Sequence, residues 1–130
     1  MTLMSTIGLN AFAQQDANQD PFAGRLFAPN IVLENQNELG LTDSQLQQIR
    51  ELVISTQTTV SEHQWDMREA YREVMTELDE ATIDESVVAE KIQLVLETEN
   101  KVKLAQMSML IRLRNLLTQE QVAWLREGNE

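Results

Sequence analysis

The chain has no cysteine, one histidine, two prolines and four glycines, and only 5% of its 130 residues are aromatic. Without thiols there are no disulfides, thiolate metal sites or thiol chemistry, a composition compatible with an oxidising compartment. So few aromatics and prolines argue against a compact α/β core. Four scattered glycines make no phosphate-cradling loop. A single histidine that falls in a helical seam leaves no Ser-His-Asp arrangement, so no catalytic constellation is visible and the expectation is a non-enzymatic protein. Basic residues are also scarce: ten Lys and Arg stand against 21 Asp and Glu, a net charge of −11. That balance disfavours nucleic acid, which needs clustered cations, and anionic membrane surfaces. No apolar run is long enough to span a bilayer, so membrane insertion is not expected. The length suits one domain.

What the chain does have is a short pattern used twice. Leu41-Thr42-Asp43-Ser44-Gln45 returns as Leu117-Thr118-Gln119-Glu120-Gln121. A Thr at a helix N-cap accepts a hydrogen bond from an unpaired first-turn amide, and a Gln three residues on bonds back to the cap's own amide. Thr42 with Gln45, and Thr118 with Gln121, are therefore expected helix caps. The preceding Leu can staple onto the new helix.

The organisation along the chain follows. Thr2 to Phe12 is weakly apolar, and Ala11-Phe12-Ala13 fits a small-x-small cleavage site before Gln14. Residues 1–13 read as the remnant of an export signal whose true start lies upstream. Residues 14–25, rich in Gln, Asn and Asp, read as a disordered linker. Residues 26–127 read as the folded domain. Pro29 and Asn30 open a short helix, Ile31 to Leu39, closed by Gly40. A long helix runs from Asp43 to about Asp79, with a seam of Leu46, Ile49, Val53, Thr56, Val60, His63, Met67, Ala70 and Val74. A third runs from about Asp84 to Leu116, with a seam of Val88, Ile92, Val95, Glu99, Val102, Gln106, Met109, Leu113 and Leu116. Thr118 caps a last helix ending near Arg126. A short turn between two long helices makes them antiparallel neighbours.

The expected fold is all-α: a long antiparallel helical hairpin with short flanking helices, forming an antiparallel homodimer. Leu104, Met107 and Ile111 lie off the hairpin seam, and a bundle this thin cannot cover them, so they are the expected dimer interface. Charge supports the antiparallel order. Residues 62–99 carry twelve acids against Arg68, Arg72 and Lys91, a tip of −9, whereas residues 100–117 carry Lys101, Lys103, Arg112 and Arg114 and no acid. Parallel packing would bring two acidic tips together.

Two constellations bear on binding. His63 and Glu99 are predicted to face each other across the seam if the hairpin folds about residues 81 and 82. Such a pair either fixes register in an apolar seam or contributes to a metal site, since both are ordinary zinc ligands; the register reading is preferred. Met67, Met107 and Met109 read as core filling. Ile54, Thr58, Ser61 and Trp65 form a second stripe on the long helix, flanked by Arg68 and Arg72. It suits either a dimer contact or a protein-binding face with an aromatic anchor and adaptable polar neighbours.

Paired Leu-Thr-x-x-Gln motifs around a long helical hairpin resemble the small periplasmic proteins of the CpxP/Spy superfamily. That group includes heavy-metal sensor and resistance proteins of the CnrX and ZraP type. The stretch Leu26-Phe27-Ala28-Pro29-Asn30 through Glu38-Leu39-Gly40-Leu41 looks most like the metal-sensor branch, and the resemblance covers about residues 26 to 126. It implies an all-α hairpin that dimerises in the periplasm and works without catalysis or cofactor. The implied function is an envelope-stress protein that binds unfolded protein clients or a membrane-anchored regulator with a periplasmic domain. The alternative is a periplasmic heavy-metal sensor or metal-resistance accessory, with zinc or another divalent transition metal at His63 and Glu99. The group's sensors carry several histidines and this chain has one, which weighs against tight metal sensing.

Overall fold

The computed structural model describes residues 20–128, which contain helices and turns and no strand. Five helices follow in chain order: α1 (Pro29–Glu34), α2 (Gln36–Leu39), α3 (Asp43–Leu78), α4 (Glu85–Leu116) and α5 (Gln119–Arg126). The protein is all-α and built on a long helical pair, α3 packed against α4. At 1.5 Å per residue, α3 is about 54 Å long. Among the described residues, no helix is long and apolar enough to cross a membrane.

Local chemistry accounts for the helix boundaries. Thr42 and Thr118 sit at the N-caps of α3 and α5 in extended conformation, each inside a capping box. Asp84 caps α4, its carboxylate accepting from Ser86 N at 3.1 Å and Val87 N at 3.3 Å. The single helix expected over Ile31 to Leu39 is broken in two. Asn35 leaves the helical region, and its Nδ2 donates to Ile31 O at 2.8 Å. A short amide side chain competes with the backbone for that carbonyl, which ends α1 and restarts the chain as α2. Gly40, in the left-handed region at φ 64°, then closes α2 as expected.

The folded part begins earlier than expected. Residues 20–25, read as linker, form consecutive turns, with Phe22 N donating to Asp20 Oδ1 at 2.9 Å. Two arginines pin them to the body: Arg126 Nε donates to Gly24 O at 2.9 Å and Arg114 to Arg25 O at 3.1 Å. A Gln/Asn/Asp-rich composition hid this because the anchoring donors lie 89 and 102 residues away. The proposed signal remnant, residues 1–13, lies outside the described residues, as does the start of the linker.

Burial is concentrated at one end. Phe27, Val32, Leu39, Ile49, Leu113 and Val122 form one cluster, with Leu41, Leu117, Trp124 and Leu125 packed against it. Toward the other end only Val74 and Val95 are buried among the described residues. The short elements thus wrap the base of the helical pair and leave its tip as two helices alone.

The α3 seam is inward at every expected position, from Leu46 to Val74. The α4 seam keeps its seven-residue row of Val88, Val95, Val102, Met109 and Leu116, but the alternate row differs. Ile92 and Gln106 are exposed, while Lys91, Thr98 and Ala105 are half-buried; Glu99 is half-buried too. Either row can flank a two-helix contact. The small Thr98 and Ala105 permit close approach, and Lys91 Nζ is drawn in by Glu73 Oε1 at 3.1 Å.

Candidate functional site

The repeated motif builds the base of the molecule. Thr42 Oγ1 accepts from Gln45 N, and Gln45 Oε1 accepts from Thr42 N, each at 3.0 Å. In the second copy the same bonds are 3.1 and 2.8 Å. The two glutamine amides then pair with each other. Gln45 Nε2 donates to Gln121 Oε1 at 2.8 Å, and Gln121 Nε2 donates to Gln45 Oε1 at 3.2 Å. Each Nε2 uses its second hydrogen on the last carbonyl of another helix: Gln45 on Leu116 O of α4 at 2.9 Å, Gln121 on Leu39 O of α2 at 3.1 Å. Both amides therefore use two donors and two acceptors, their full capacity. Gln121 is the one buried polar residue among those described, and its burial is tolerated because nothing in it is unpaired. This clasp joins α2, α3, α4 and α5 at one point, and α1 is held beside it by Val32, which is fully buried.

With α1 held there, a groove opens between α1, α3 and α4. Leu33 of α1, Arg50, Val53, Ile54 and Gln57 of α3, and Met109 of α4 line it, and it runs on past Ser61 and Gln64. It is wide and open, with apolar walls and a polar rim. Sequence reasoning missed Arg50, Gln57 and Gln64 as site residues. Their seven-residue recurrence beside the seam was the available signal, but nothing showed that α1 would supply a second wall.

The predicted protein-binding stripe divides. Ile54 and Ser61 line the groove. Thr58, Trp65 and Arg72, seven residues apart, occupy the row of α3 furthest from α4. Thr58 Oγ1 donates to Ile54 O of its own helix at 3.0 Å. Trp65 is 68% exposed, and the Arg68 guanidinium stacks 4.7 Å from its ring centre, a cation–π contact. Arg72 is held by Glu69 at 3.1 Å. The stripe is thus two adjoining surfaces.

His63 and Glu99, expected to face each other, are both half-buried, and the hydrogen bond to Glu99 comes from Tyr71. Tyr71 Oη donates to Glu99 Oε2 at 3.0 Å. No hydrogen bond or ion pair joins His63, which is half-buried, to Glu99. The Tyr71 phenol is held above its ordinary value, first by burial, then by the hydrogen bond to Glu99 and that carboxylate's charge. Among the described residues, no group of three His, Asp or Glu side chains is placed to hold a metal ion. At the tip, the Asp84 carboxyl is held below its ordinary value by the Ser86 hydroxyl and the Val87 amide.

The predicted interface residues lie on the outer part of α4. Leu104 is 69% exposed and Ile111 is exposed, while Met107 is half-buried. Lys101, Lys103 and Arg112 make no hydrogen bond or ion pair within the described chain, whereas Arg114 is spent on Arg25 O. No protein-family profile, characterised protein or solved structure matches this chain.

Proposed function

We propose that the chain is a non-enzymatic envelope-stress protein of the periplasm, similar to the CpxP/Spy group. It holds segments of unfolded clients or of a membrane-anchored regulator, and it works as a homodimer of antiparallel hairpins. The observation that carries the reading is the apolar surface left open on a thin helical pair: Ile54, Trp65, Leu104 and Ile111 are all exposed. Isolated exposed apolar residues are ordinary, but several on a body this narrow mark an interaction surface. Support for the hairpin order comes from Gln45 meeting Leu116 at one end and Glu73 meeting Lys91 at the other. Support for dimerisation comes from Leu104 and Ile111 lying on a part of α4 that α3 does not cover. The uncommitted Lys101, Lys103 and Arg112 suit the acidic tip of a partner, giving orientation more than affinity.

Two measurements test the reading. Purified protein, without ATP, is expected to suppress aggregation of a heat-unfolded enzyme at molar excess; an unchanged light-scattering trace overturns client binding. Wild type is expected to sediment as a dimer and Ile111→Asp as a monomer. A monomeric wild type, or a dimeric Ile111→Asp, overturns the assembly.

A further inference from the structure

The groove between α1, α3 and α4 is free of negative charge on a strongly acidic chain. Its lining contains no acidic residue, in a chain that has 21. Helix α3 carries seven acids, and of these only Asp43, in its first turn and outside the groove lining, falls in the rows that face this side. Arg50, Gln57, Gln64 and Tyr71 recur every seven residues along one flank, and the adjoining row runs from Ile54 through Ser61 and Arg68 to Met75. Tyr71 reaching Glu99 on α4 shows that this flank lies beside the helical pair rather than behind it.

Arg50 is the single charged residue in the lining. It is exposed and makes no hydrogen bond or ion pair within the described chain. Its neighbour in sequence, Glu51, is engaged by Gln47 Nε2 at 3.2 Å. Gln57, Gln64 and Gln106 likewise make no side-chain bond, so each offers both a donor and an acceptor to a peptide backbone. Leu33, Val53, Ile54 and Met109 provide the apolar contact.

From this we infer that the groove binds an extended peptide segment that carries apolar side chains and a carboxylate, the carboxylate seated on Arg50. The inference rests on the protein-binding reading above and names the chemistry of the ligand. A guanidinium offers a carboxylate two parallel donors, which an ammonium or an amide does not. The glutamines supply sequence-independent backbone bonds, so the selectivity comes from the one cation.

The test is fluorescence anisotropy with three labelled peptides of equal length, in which leucine alternates with glutamate, glutamine or lysine. Wild type is expected to bind the glutamate peptide most tightly, about tenfold over the lysine peptide, equivalent to about 1.4 kcal/mol. Arg50→Glu is expected to reverse that order, with helical circular dichroism unchanged because Arg50 is exposed. Gln93→Glu also adds negative charge but lies exposed on α4, outside the groove lining and the proposed dimer contact, and is expected to keep the wild-type order. A wild type that ranks the peptides otherwise overturns the inference, as does a Gln93→Glu that behaves like Arg50→Glu. Loss of self-association in Arg50→Glu by sedimentation would assign the groove to a second copy and overturn it too. Aggregation suppression that persists alongside absent carboxylate preference would leave the protein-binding reading standing while this one fell.

Discussion

Removing Gln121 is the sharpest test of how the repeated motif holds the base. Its side chain takes part in four hydrogen bonds: with Thr118 N, with Leu39 O, and twice with the Gln45 amide. In Gln121→Ala, water can reach Thr118 N at the exposed start of α5, but Leu39 is buried and its carbonyl loses a partner. Leaving such a group unpaired costs about 1–3 kcal/mol, and each lost bond of ordinary strength costs about 1 kcal/mol net. The expected destabilisation is about 2–4 kcal/mol. Gln45 is half-exposed, so Gln45→Ala is expected to cost somewhat less. The double variant is the decisive measurement, because each single variant strands one amide and the double strands neither. Urea melts of all four proteins should give a coupling of about 1–2 kcal/mol between the sites. Additive losses would mean that the two amides do not act as a pair, and that each motif is an independent helix cap.

Thr42→Ala and Thr118→Ala are each expected to cost about 1 kcal/mol in the same melts, the usual effect of a lost N-cap; no change in either variant would refute the capping role. At the tip, the depressed carboxyl of Asp84 contributes stability above the ordinary carboxylate range that is lost as pH falls through its lower folded value. Amide signals of Ser86 and Val87 should therefore report fraying in acid, and Asp84→Asn, which keeps the acceptor, should abolish that pH dependence. Tyr71 is the only tyrosine, so its ultraviolet titration is unobstructed. Its midpoint should lie above the ordinary phenol value of about 10 and fall in Glu99→Ala. The raised value adds stability below the ordinary phenol range, which is lost as pH climbs through it; a midpoint unmoved by Glu99→Ala would break the assignment of its partner.

The features legible in the amino-acid sequence are those whose physics is local. A capping box closes within four residues, so Thr42-Gln45 and Thr118-Gln121 could be read before any fold was known. Helix ends at Leu78, Leu116 and Gly40, and the inward row on α3, follow from turn chemistry and a repeat of three and four. What lay beyond reach depends on groups far apart in the chain. The Gln45–Gln121 amide pair spans 76 residues, and it turns two separate caps into one joint. The same is true of Arg114 and Arg126 holding residues 20–25, and of the Tyr71 hydrogen bond to Glu99. The α4 seam shows why: periodicity names a stripe, but two rows flank it, and Lys91, Thr98 and Ala105 turn inward only once Glu73 and the face of α3 are in place. The groove belongs to this second class. Arg50, Gln57 and Gln64 are ordinary surface residues on one helix, and they become a site because Leu33 on a separate short helix, held at the clasped base, stands opposite them.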